Sequence, residues 1–93
     1  MNTDTALVYR VRGDRVAWRA AGDETVLLDT RQSVYFALDR WAALLWPHLL
    51  AGATAAELTE VLVGQAPIGR ERATADVSAF LADLTAADLL ESR

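Results

Sequence analysis

His48 is the only imidazole in a chain of 93 residues that has no cysteine. A general base needs a partner within hydrogen-bond reach, and a zinc centre needs three or four ligands. One histidine without thiolates assembles neither, so His48, next to Pro47, is expected at a helix end. The pairs Glu57/Glu60 and Asp76/Asp83 are the carboxylates that could hold magnesium, yet such pairs ordinarily form a solvated helix face. Ser33, Ser78 and Ser92 lack a G-x-S-x-G setting, and there is no glycine-rich phosphate loop or dinucleotide fingerprint. The chain is expected to be no enzyme and to use no metal and no cofactor.

What remains is recognition. Thirteen acidic and nine basic residues give a net charge of −4, and every basic residue is arginine. A nucleic-acid domain neutralises phosphates with a basic face, so this balance opposes nucleic acid as a partner. The absence of cysteine suits a reducing cytoplasm, and the arginine-only, alanine-rich composition suits a GC-rich bacterial genome. Met1 to Thr5 carry no signal-peptide features, and no apolar stretch approaches the ~20 residues of a membrane span, so neither secretion nor membrane insertion is expected. With 53% hydrophobic residues the chain has material for one small packed domain, spanning 1–93.

The elements that would position a binding surface follow from pattern. Ala6–Arg12 and Val16–Ala20 alternate around Gly13-Asp14 and predict a hairpin. A second turn at Gly22-Asp23 leads to Thr25–Asp29, which should pair antiparallel with Ser33–Leu38 across Thr30-Arg31-Gln32. Asp39 is a suitable N-cap for a helix carrying Trp41, Leu44, Leu45 and Leu49, with Trp41 and Trp46 in its apolar face; Pro47 should end or bend it. Thr54-Ala55-Ala56-Glu57 matches a capping box that starts a second helix at Ala55, with Gly64 as its stop. A third helix over about 70–86 places Val77, Phe80, Leu81 and Leu84 on one stripe, and Asp88 is a candidate left-handed cap after which Leu89 and Leu90 return to the core.

Strands followed by three helices would also suit a winged helix-turn-helix that inserts its third helix into DNA, with Arg70 and Arg72 at its start. Glu71, Asp76 and Asp83 on that helix would then border phosphates, and no lysine tracks a backbone. A peptide fits better. The strand Ser33, Val34, Tyr35, Phe36 and Ala37, if at a sheet edge, offers unpaired backbone groups to an added strand. A cleft between it and the third helix would have Val77, Phe80 and Leu84 as apolar floor and Asp76 and Asp83 to attract a basic peptide.

The ordered series Val26–Asp29, Tyr35–Asp39, Ala43–Trp46, Thr54–Leu58, Asp76–Leu84 and Leu89-Leu90 resembles a PqqD-type RiPP recognition element over about residues 16–91. Its tyrosine-phenylalanine strand is more similar to the stand-alone leader-binding proteins of lasso-peptide biosynthesis than to the protein of pyrroloquinoline quinone synthesis. The resemblance implies an α+β, winged helix-turn-helix-like fold, with a three- or four-stranded antiparallel sheet followed by three helices. It implies binding of a precursor peptide's leader beside Ser33–Leu38 and against the third helix. It also implies delivery of the precursor to a separate leader peptidase, with a lasso cyclase acting afterwards; a PqqD-type role beside a radical enzyme is the variant within the family. Pro47 and Asp88 depart from the family pattern.

Overall fold

A computed structural model describes residues 7–93. Four strands, β1 (Val8–Val11), β2 (Val16–Ala21), β3 (Glu24–Asp29) and β4 (Val34–Leu38), precede α1 (Arg40–Ala51). A short β5 (Ala53–Thr54), α2 (Ala55–Gln65), α3 (Arg70–Ala86) and β6 (Leu90–Ser92) complete an α+β fold. The β2-β3-β4 sheet is antiparallel throughout, with Trp18 opposite Leu27 and Leu27 opposite Phe36.

The expected hairpin between the first two strands does not form. Its first predicted residue, Ala6, lies outside the described residues, and β1 instead sits between β5 and β6 in a second sheet. Arg12 to Arg15 closes a turn of its own through the Arg15 amide and the Arg12 carbonyl, 2.9 Å apart, while the Arg12 amide reaches the Leu89 carbonyl at 2.8 Å. Both edges of β1 are thereby filled by distant segments, and none remains for β2. The Gly22-Asp23 turn does join β2 to β3, with Gly22 at φ 68°, a conformation open to glycine without steric penalty.

The β3–β4 connection is set by one buried side chain. Asp29 accepts from the amides of Arg31 (2.9 Å) and Gln32 (3.2 Å), and its carbonyl takes the Ser33 amide at 2.8 Å. Ser33 adopts φ 58°, so it belongs to the turn and β4 begins at Val34, one residue later than predicted.

Local capping starts the helices. Asp39 accepts from the Ala42 amide at 2.9 Å, and Thr54 with Glu57 forms the predicted capping box. The prediction that Pro47 ends or bends α1 fails in its first form, since the helix continues to Ala51. A proline inside a helix costs ~3 kcal/mol, whereas burying a large apolar side chain contributes roughly 1.5–3 kcal/mol. Trp46 and Leu49, flanking Pro47 on the core side, are both fully buried and outweigh that loss. Gly64 does not stop α2, which runs one residue further. α3 spans the predicted range, and Asp88 takes φ 63° and turns Leu89 and Leu90 into the core.

Candidate functional site

In the sheet order β2-β3-β4, strand β4 is an edge. Which of its backbone groups are free follows from the alternation of an antiparallel ladder. The two-residue turn at Gly22-Asp23 makes Ala21 and Glu24 a hydrogen-bonded pair, so Glu24, Val26 and Leu28 point their amides and carbonyls at β2. The Thr30 amide donates to the Arg15 carbonyl at 3.0 Å, in the same phase. Thr25, Leu27 and Asp29 therefore face β4, where their partners are Leu38, Phe36 and Val34. Tyr35 and Ala37 are left with N–H and C=O on the open edge. Of the five residues predicted to bond a peptide backbone, these two present their groups. Val34 and Phe36 spend theirs on β3, and the Ser33 amide is already bound.

The side chains alternate as the pleat requires. Tyr35 is 71% exposed, Ala37 is exposed, Phe36 is half-buried and Leu38 is buried. Val34, on the inner face near the turn, is 42% exposed.

Beyond the C-terminal end of β4, a groove of about 420 Å³ runs between α1 and α3. Asp76, Phe80 and Asp83 line it, so three of the five predicted α3 residues come together there. Val77 and Leu84 do not: they are 1% and 3% exposed, part of the core beneath the groove. Positions 77, 81 and 84 share one helical stripe, and packing against the rest of the core takes that stripe inward, leaving Phe80 at its margin.

Among the lining residues that sequence reasoning missed are Trp41 and Ala42 on α1, Ile68 in the α2–α3 loop, and Arg72 on α3. Ile68 after Pro67 was the available signal, an apolar side chain in a loop. The groove rim is acidic. Asp39, Asp76 and Asp83 border it with Arg72 as the one cation, and Arg72 lies 3.4 Å from Asp76. Asp83 has no ion-pair partner among the described residues.

No cluster of three or more histidine, cysteine, aspartate or glutamate side chains suited to a metal occurs among the described residues. His48 is exposed in the last turn of α1. Arg70 is bound to Glu60 across α2 and α3, a contact that holds the Glu60 carboxyl below its usual range and raises Arg70. No helix of the described residues is long and apolar enough to cross a membrane.

No curated protein matches the chain. Among solved structures, that of TbiB1 in complex with the TbiA(beta) leader peptide is similar: 28% identical, covering 88% of this chain and 94% of its own, with a TM-score of 0.79. The family of coenzyme PQQ synthesis protein D matches residues 24–90, covering both β4 and α3. The chain belongs to the PqqD family.

Proposed function

We propose that this protein is a non-catalytic adaptor that binds the leader segment of a ribosomally synthesised precursor peptide and delivers it to a leader peptidase in cytoplasmic lasso-peptide maturation. The leader adds as a strand to β4, exchanging backbone hydrogen bonds with Tyr35 and Ala37. Its apolar anchors enter the groove over Phe80, and its basic residues are steered by Asp76 and Asp83. The observations that carry this are the open β4 edge and the acidic-rimmed groove over Phe80, which Asp39, the residue after β4, borders while no residue of β4 itself lines it. The likeness to a protein solved with a leader peptide supports it. Main-chain pairing plus a few apolar anchors should give affinity between nanomolar and micromolar, roughly −8 to −12 kcal/mol.

Arg70 and Arg72, which a DNA-binding reading would need at phosphates or bases, are each paired with a carboxylate. The test is titration calorimetry with the precursor leader encoded nearest this gene, against a scrambled peptide of equal charge. Saturable binding of the first alone is expected; equal binding of both, or none, overturns the proposal. Cleavage of the precursor by the neighbouring peptidase, with and without this chain, tests delivery.

A further inference from the structure

The three tryptophans of the chain meet beside β2, the edge of the sheet that lies across β3 from β4. Trp18 on β2 and Trp46 on α1 pack edge to face, their centroids 6.2 Å apart and their planes at 72°. Trp41 carries the Arg40 guanidinium 4.7 Å from its ring centre. With the β2–β3 turn they enclose a pocket of about 420 Å³, separate from the groove beside α3 except that Trp41 borders both.

Two backbone and side-chain groups of α1 at this pocket lack their ordinary partners. Trp46 is 1% exposed, and its Nε1–H is buried with no acceptor. The Ala43 carbonyl lacks the amide that would normally reach it from four residues on, because that residue is Pro47; both residues line the pocket. The Ala43 carbonyl is thus an acceptor without its helical donor, and an N–H of another chain would satisfy it.

The rim supplies charge. Asp23 and Glu24 border the pocket, Glu24 without an ion-pair partner among the described residues and Asp23 only 3.9 Å from Arg40. Carboxylates lining a pocket with indole rings favour a cation that can also stack, and a guanidinium does both. The chain's own Arg40, lying over Trp41 and reaching toward Asp23, shows that the site's chemistry accepts that group.

We propose that this tryptophan pocket binds an arginine-bearing backbone segment of a partner protein. The guanidinium stacks on Trp18 beside Glu24 and Asp23, and the segment's N–H donates to the Ala43 carbonyl. The site stands apart from the free edge of β4, so this inference does not depend on leader binding there.

The test is ¹H–¹⁵N NMR of the full chain, following the indole N–H signals, with N-acetyl-arginine N-methylamide as probe and the leucine and glutamate analogues as controls. The Trp18 and Trp46 signals should shift saturably with the arginine compound. The leucine compound should bind about two- to five-fold more weakly, the worth of an exposed cation–π contact, and the glutamate compound should not bind. Glu24→Gln should weaken the probe by removing the rim charge, and Pro47→Ala by returning an amide to the Ala43 carbonyl, the unchanged remainder of each spectrum reporting an intact fold. Absence of a saturable shift overturns the proposal, as does equal binding of the glutamate compound or wild-type affinity in both variants. Leader affinity, measured on the same variants, should stay at the wild-type value.

Discussion

Arg15 and Asp88, 73 positions apart in the chain, are joined by a hydrogen-bonded ion pair that ties the β1–β2 turn to the left-handed turn after α3. Arg12 adds a weaker contact to the same carboxylate at 3.6 Å. The pair thus clasps the junction of the two sheets, where the β1 strand enters its non-local pairing.

The hydrogen bond from Arg15, and then the charge of the same guanidinium, hold the Asp88 carboxyl below its usual range. A carboxyl whose pKa is lower in the folded state stabilises the fold above its unfolded value, ~3.9. That contribution is lost as pH falls through the lower folded value. Asp88→Asn keeps a residue tolerant of positive φ but removes the charge. Thermal unfolding followed between pH 6 and pH 2, roughly the window around that value, should show the wild type losing its advantage over Asp88→Asn on acidification. A constant offset at all pH values would mean that the charge is not responsible.

The free amides of β4 predict an asymmetry between neighbouring prolines. Proline is tolerated at an edge-strand position whose N–H faces outward. Ala37→Pro should therefore leave the fold near wild-type stability and weaken leader binding about ten-fold, the equivalent of one backbone hydrogen bond. Phe36→Pro should instead break the β3–β4 ladder and lower the melting temperature. Denaturation and calorimetry on the two variants distinguish the cases.

Asp83 and Asp76 should differ in their effect on a basic leader. Asp76 is partly neutralised by Arg72, while Asp83 has no such partner among the described residues. Asp83→Asn is expected to reduce affinity more than Asp76→Asn, and both losses should shrink as salt rises to about 1 M, where screening acts within ~3 Å. Affinities measured across a salt series check the order.

Leu84 and Phe80 separate stability from binding. Leu84→Ala opens the core and should cost about 2–5 kcal/mol of stability. Phe80→Ala, at a half-buried groove position, should cost less stability and more leader affinity. Urea denaturation and calorimetry on the same samples test both halves.

Interactions confined to a few neighbouring residues were legible in the amino-acid sequence. The Thr54–Glu57 capping box, the Asp39 cap, the span of α3, the Gly22-Asp23 turn and the left-handed Asp88 all depend on groups within about four positions of one another. The acidic pair Asp76/Asp83 and Phe80 were legible as well, because helical periodicity alone places them on adjoining faces.

Only the tertiary structure decided the rest, since it turned on which distant segments meet. Gly13-Asp14 looks locally like a hairpin turn, but β6 and β5 claim both edges of β1. Pro47 looks like a helix end until Trp46 and Leu49 find a core to fill. Val77 and Leu84 share a stripe with Phe80, and packing sends the first two inward while leaving the third at the groove. The phase of the β4 ladder was likewise a matter of register, set through β3 by the turn before it. Residue types said that this chain could recognise a peptide; the register of one edge strand left the backbone groups of Tyr35 and Ala37 free, because each backbone group in an antiparallel ladder can face only one side.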